Sequence, residues 1–174
     1  AKQKNKVIKG IVVVAKDSAI KSLEDLNNQV LAFPSPAAFA ASVLPRAKME
    51  KDGISFTPKY VSSHDSVYLT VSKGLFPAGG GVQRTFNNTD AKVREGLKVL
   101  WTTPGFTPHA IATHPKLSPA TREKLQQALL QMNTDPEGQK LLKSINFKGI
   151  EVAEDQDWDD VRELNIKLLK HMLD

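Results

Sequence analysis

Cysteine is absent, so this chain can form no disulfide, no thiolate metal site and no cysteine nucleophile. That absence is neutral about compartment, although it suits an oxidising space where a free thiol is a liability. Aromatic residues make up only 6% of the sequence, which rests the core on Val, Leu, Ile and Ala. Long apolar runs are missing too: Ile11 to Ala15 falls far short of the roughly 20 residues a membrane-spanning helix needs. Neither a Gly-x-Gly-x-x-Gly nor a Gly-Lys-Ser/Thr nucleotide loop occurs, and no Gly-x-Ser-x-Gly elbow. What is present, 174 residues with 40% hydrophobic and 25% charged, fits one folded domain or two small lobes. Lys and Arg (24) outnumber Asp and Glu (19), a net charge of +5 that brings nucleic acid into consideration. The basic residues are spread out except for Lys2, Lys4, Lys6 and Lys9, and no aromatic-basic platform accompanies them. A solvated surface with a basic tail is the simpler reading, and no nucleic-acid partner is expected.

Val7 to Ala15 is a β-branched run that reads as a strand buried on both faces. Ser22 is placed to cap a short helix through Leu26, and Val30 to Phe33 reads as a short buried strand. Pro34-Ser35-Pro36 then leads into an alanine-rich helix from Ala37 to Lys51, stopped by Gly53, in which Pro45 predicts a kink near Val43. Phe56 to Val61 is the next strand, followed by a helix capped within Ser62-Ser63-His64-Asp65 and closed by Gly74. Phe76 to Gly81 is a strand weakened by three glycines, with a short helix or turn from Val82 to Phe86. Val99 to Thr102 and Ala110 to Thr113 are short apolar segments flanking a turn-rich loop at Thr103 to Pro108. From Ser118 the chain turns helical, with starts at Ser118-Pro119 and Asp135-Pro136 and a last helix from Asp157 to Leu173. Strands alternating with helices, then a helical tail, define an α/β fold with a mostly parallel sheet. The expected division is an α/β ligand-binding lobe over 7–113 and a mainly helical region over 114–174.

In open α/β sheets ligands gather at the carboxyl ends of strands, where helix N-termini offer N–H groups. Two such places stand out. The turn from Phe33 to Ala40 has small side chains that let an anion approach the amides of Ala38, Phe39 and Ala40, with Ser35 beside them; a plain helix start explains it equally. Ser63 and His64 follow the next strand, where a capping Ser-Asp pair with an exposed His is the alternative. A Ser-His-Asp triad is rejected, because adjacent residues on one turn rarely supply triad geometry. Gly79-Gly80-Gly81 before Val82 and Gln83 allows either a backbone approach to ligand or close strand packing against a helix. His109 and His114 lack a carboxylate at ligand spacing, so no metal site is expected there. Trp101 and Trp158 read as core or hinge residues, and His171 as a helix-dipole partner.

The order of segments resembles the periplasmic substrate-binding proteins of phosphate, phosphite and phosphonate ABC transporters over nearly the whole chain. The pieces that carry it are Ile11 to Ser18 with Ile20 to Leu26, Ser63-His64-Asp65, Trp101 to Pro104, and Asp135 to Gly138. The resemblance implies a type II periplasmic-binding-protein-like lobe, the second of two lobes that close on a ligand by a hinge, with most of the first lobe lying outside this sequence. It implies a non-enzymatic, cofactor-free solute-binding protein, periplasmic or extracytoplasmic, that takes a small phosphonate- or phosphate-like anion to ABC transporter membrane subunits. The family's Ser-Thr-Ser set matches Ala38, Phe39 and Ala40, and each lost hydroxyl forfeits about 1.5 to 3 kcal/mol toward a charged ligand. His64 keeps the family's His after a serine. Val82 and Gln83 stand where the family has an acid for a ligand amine, so an aminophosphonate is disfavoured. The ligand set implied is Ser35, Ala38, Phe39, Ala40, Ser63, His64 and Gln83. An input domain of a membrane sensor, or an interaction module with a vestigial cleft and a tendency to dimerise, are the alternatives.

Overall fold

The β-branched run at the start of the chain becomes the middle of a five-stranded sheet. The computed structural model describes residues 1–4 and 6–168. Its strands are β1 (Lys2–Gln3), β2 (Gly10–Ala15), β3 (Gln29–Phe33), β4 (Phe56–Tyr60), β5 (Ala78–Val82), β6 (Leu97–Thr102) and β7 (Ile150–Glu151). Its α-helices are α1 (Leu44–Lys51), α2 (His64–Ser72), α3 (Gln83–Asn87), α4 (Ala91–Glu95), α5 (Pro119–Gln131), α6 (Pro136–Ser144) and α7 (Asp159–Arg162). Contacts divide the chain into a sheet unit, Ile8–Gly105 with residues 165–168, and a helical unit, Ala1–Val7 with Phe106–Leu164. This division falls earlier than the boundary expected after Thr113. Within the helical unit, the Thr107 amide donates to Asp160 Oδ2 (2.7 Å), the Trp158 indole to the Pro108 carbonyl (2.7 Å), and the Ile111 amide to the Ala1 carbonyl (2.8 Å).

Strand order in the large sheet is β4-β3-β5-β2-β6. β3 pairs parallel with β4 and β5, whereas β2 pairs antiparallel with both β5 and β6. Four strands therefore share one direction and β2 alone runs against them, so the mostly parallel sheet of the sequence reading is a mixed one. Alternation along a strand sends successive side chains to opposite faces. Val12, Val14, Leu31 and Phe33 pack on one face with Leu23, Leu26, Met49 and Ile54. Ile11, Val13 and Ala32 pack on the other with Val67, Tyr68, Val71, Phe86 and Leu97. Burial of β2 on both faces follows the reading of its sequence.

Pro45 acts as expected. The chain from Phe39 to Val43 is a wide π-helical turn that passes into α1 at Leu44, where Pro45 sits in the first turn and needs no N–H partner. Ser63 caps α2, Ser118 caps α5 and Asp135 caps α6, each accepting from the amide three residues on. Ser22 does not cap. Asp25 Oδ2 instead accepts from the amides of Lys21 (2.8 Å) and Ser22 (3.0 Å), which lowers its pKa, and the segment is a single 3-10 turn, Glu24–Leu26. Ala110 to Thr113 forms no strand. The last helix is also shorter than read: a 3-10 turn, Asp155–Trp158, and α7 end at Arg162, and Asn165 takes a left-handed φ of 45°. Residues 169–173 of that reading, His171 among them, lie outside the described residues.

The three glycines of β5 resolve in favour of packing. A Cβ on Gly79 would overlap Val67, one on Gly80 the Ala41 carbonyl oxygen, and one on Gly81 the Tyr68 hydroxyl. Gly10 of β2 is required in the same way, since a Cβ there would overlap the Ala40 carbonyl oxygen. Gly10 and Gly80 thus let the π-helical turn lie directly on the sheet.

Candidate functional site

Strand direction decides which loops meet. β4, β3 and β5 are successive neighbours with one direction, so the loops after Tyr60, Phe33 and Val82 leave the same end of the sheet. The Val61 amide donates to the Phe33 carbonyl at 2.9 Å, which ties the first two exits together. Ser35, the Ala38–Ala40 turn, Ser63, His64 and Gln83 all lie on these exits. The ends of the antiparallel β2 and of β6 arrive there as well: the Gln83 amide donates to the Lys9 carbonyl (3.0 Å), and the Gly10 amide to buried Thr103 Oγ1 (2.9 Å). Sequence reasoning did not bring Lys9 to this end, because only the reversed direction of β2 does so; Thr103 arrives with the end of β6, which runs with β3, β4 and β5.

At the β3 exit, Ser35 is exposed, Ala38 and Phe39 are half-buried, and Ala40 is buried. The first helical bonds of the turn run from the Ser42 amide (2.7 Å) and the Val43 amide (3.1 Å) to the Ala38 carbonyl. The amides of Ala38 to Ala40 precede them, at the positive end of a continuous helical stretch that runs through Lys51. Among the described residues, Ser42, fully buried, has no hydrogen-bond partner at Oγ, and Arg46, one turn further, has none at a buried Nε. Both were missed in the sequence, where they read as ordinary members of a helix.

The β4 exit turns sharply at Ser62, whose φ is 73°. Ser63 Oγ accepts from the Ser66 amide (3.0 Å) and donates to Ser66 Oγ (2.9 Å), so its hydroxyl serves as the cap of α2. His64 is half-buried rather than exposed, and its Nδ1 is buried without a hydrogen-bond partner among the described residues. Burial lowers the imidazole pKa below its ordinary 6.5, outweighing the neighbouring Asp65 carboxylate, so the ring is neutral at pH 7. A neutral imidazole with one ring nitrogen unsatisfied offers a single hydrogen bond without charge. At the β5 exit the Gln83 side chain donates to Asn87 Oδ1 (2.9 Å) within α3.

The remaining residues singled out in the sequence belong to other segments. Trp101 packs on one core face of the sheet. In the helical unit, His109 and His114 are exposed, and His114 Nδ1 accepts from the Lys116 amide (3.2 Å). That unit also carries a groove of about 670 Å³ lined in part by Ile111, Arg122, Leu125, Leu129 and Trp158. None of the predicted ligand residues lines it.

A sheet with helices on both faces and loop exits gathered at one end defines the class: a type II periplasmic-binding-protein-like fold. Residues 1–158 match the family described as ABC transporter, phosphonate, periplasmic substrate-binding protein, and the chain belongs to that family. Solved structures agree on the fold. XAC2383 from Xanthomonas citri, bound to chloride, superposes with a TM-score of 0.81 at 18% identity over 97% of this chain and 68% of its own. PhnD1 from Prochlorococcus marinus in complex with methylphosphonate gives 0.79 at 21% identity, over 98% of this chain and 70% of its own. A binding protein component of an ABC phosphonate transporter from Pseudomonas aeruginosa gives 0.76 at 16% identity, over 97% of this chain and 61% of its own. The family is one of transport binding proteins that serve membrane transporter components from the periplasm. No helix among the described residues is long and apolar enough to cross a membrane.

Proposed function

We propose that this chain is the ligand-recognising part of an extracytoplasmic solute-binding protein that delivers a small phosphorus oxyanion to an ABC importer. The observation that carries this is the convergence of the β3, β4 and β5 exits at one end of the sheet, with a helical N-terminus and a half-buried His64 on adjacent strands. The amides of Phe39 and Ala40 and the Ser35 hydroxyl donate to the oxyanion, joined by the Ala38 amide once it gives up its long 3.4 Å bond to the Ser35 carbonyl. His64 donates one further hydrogen bond, relieving a buried nitrogen whose unsatisfied state costs on the order of 1–3 kcal/mol. Phe39 forms an apolar wall where the family has a hydroxyl. A ligand with a small apolar substituent, such as the methylphosphonate held by the Prochlorococcus protein, suits that wall better than an aminophosphonate does. Within a longer polypeptide, the helical unit packs on the hinge and the first lobe, which would cover the groove around Leu125 and Leu129.

Calorimetric titration with phosphate, phosphite, methylphosphonate, 2-aminoethylphosphonate and sulfate tests the reading. Saturable binding of a phosphorus oxyanion, weakened about tenfold or more by His64→Ala, is the expected result. Affinity unchanged by His64→Ala would remove His64 from the site. No heat with any of the five, from this chain or from one extended to the length of the relatives, would reject the ligand class.

A further inference from the structure

We propose that Tyr68 is the positioning residue of this site: its phenol stands in for a strand at Val82 and ties the β5–α3 junction to the helix that carries Ser63 and His64. The inference rests on the ligand reading above. Tyr68 is fully buried and lies four residues after His64, on the same face of α2 one turn further along. Its hydroxyl accepts from the Val82 amide and donates to the Val82 carbonyl, both at 3.1 Å. The sheet leaves those two groups unpaired. Gly10, the register partner of Val82 on β2, gives its amide to Thr103 Oγ1 and its carbonyl to the Thr103 amide, each at 2.9 Å. The Gly10–Val82 pair is therefore one without mutual hydrogen bonds, and the Val82 peptide groups face away from β2. On that side β3 meets β5 in register at Ala32 and Gly79 and then ends at Phe33, followed by Pro34, which has no N–H to offer. Peptide groups in such a place require partners, and one phenol supplies both.

The fit is specific to tyrosine. Gly81 has no Cβ to collide with the hydroxyl, and the ring meets Phe86 of α3 edge-on, with centroids 5.4 Å apart and planes at 68°. Burial raises the phenol pKa above its usual value, so the group remains a donor throughout the physiological range. α3 is thus held twice, through the Val82 backbone by the hydroxyl and through Phe86 by the ring. The β4–α2 and β5–α3 exits are in this way fixed to one another, and anion affinity depends on the hydroxyl rather than on the ring alone.

Tyr68→Phe keeps the ring and removes the hydroxyl. With wild-type-like circular dichroism, the Val82 and Gln83 amides should exchange hydrogen roughly tenfold faster or more, while Val12 to Val14 keep their protection. Affinity for methylphosphonate should fall several-fold in parallel. Gly81→Ala, which displaces the phenol without removing it, should reproduce both effects. Unchanged exchange at Val82 in Tyr68→Phe would overturn the proposal. So would an equal loss of protection across β2, which marks a general stability contact, or faster local exchange with undiminished affinity. If the wild-type chain binds none of the phosphorus oxyanions, the ligand reading fails, and the exchange at Val82 still decides whether Tyr68 holds the junction.

Discussion

In the sheet unit, α2 buries Val67, Tyr68 and Val71 against the sheet, whereas in the helical unit α5 runs for 13 residues without burying one. The contrast lies in burial. Among the described residues, every buried hydrophobic residue except Leu142 and Ile150 belongs to the sheet unit, whereas exposed large ones occur in both, Val30, Leu69, Leu75 and Val99 in the sheet unit and Ile111, Leu117, Leu125, Leu141, Ile145 and Val152 in the helical unit. One unit is held by a two-faced core. The other relies on side chains that satisfy backbone: caps at Ser118 and Asp135, and Asn133, whose amide donates to the Ile150 carbonyl (2.7 Å) and accepts from the Ile150 amide (2.8 Å). Polar clamps specify geometry but add about 1 kcal/mol each, whereas burial of a large apolar side chain adds about 1.5–3 kcal/mol. The proposed packing on a first lobe would add apolar burial to the unit whose own core supplies less of it.

The sharpest break in that comparison comes from Gly80→Ala. Its Cβ would overlap the Ala41 carbonyl and sit 2.7 Å from the Phe33 ring, so the sheet unit should lose about 3 kcal/mol or more in urea unfolding. A variant as stable as wild type would show that the π-helical turn is not seated on β5. Asn133→Ala should cost about 1–2 kcal/mol and speed hydrogen exchange around Ile150 while sparing β2, which separates the clamps of one unit from the core of the other. Leu125→Ser should change the stability of this chain by less than about 0.5 kcal/mol. In a polypeptide extended to the length of the relatives, the same change should cost about 2 kcal/mol or more, and equality of the two would argue against a covered helical face. Smallest is a pH effect at His64. Its folded pKa lies below 6.5, so the unfolded chain takes up the proton first. The stability it contributes is complete above pH 6.5 and declines as pH falls from there toward the folded pKa; His64→Gln should flatten that part of the profile of thermal midpoint against pH.

Local chemistry was legible from the sequence where it acts through near neighbours. The β-branched run gave β2, Pro45 marked the switch near Val43, and Ser63, Ser118 and Asp135 cap the helices they precede. What escaped is set by partners distant in the chain. The reversed direction of β2 depends on β5 and β6, and with it comes Lys9 at the loop end of the sheet, where the Gly10 amide meets Thr103 Oγ1. Which surface required three glycines in β5 could not be read before Val67, Ala41 and Tyr68 were placed. The long last helix failed for another reason: the Arg162 guanidinium bonds to the Asp155 carbonyl (2.8 Å) and to Asp159 Oδ1 (2.5 Å), closing a short turn that a hydrophobic stripe does not register. Of the candidate site, Ser63 and His64 were found as a strand-to-helix junction, whereas Ser42 carries no pattern beyond helix propensity.

The position of β2 bears on how the polypeptide is made. Of the five strands of the sheet described here, Gly-Ile-Val-Val-Val-Ala precedes the others in the chain, and both its partners, β5 and β6, are synthesised much later. Until Ala78–Val82 and Leu97–Thr102 emerge, an apolar β-forming segment waits with neither edge paired. Such a segment is a site for premature association between nascent chains, and closing it demands contacts of long sequence separation, which slow folding. The lysines at positions 2, 4, 6 and 9 stand immediately before it, charges of the kind that, flanking an apolar strand, oppose such association.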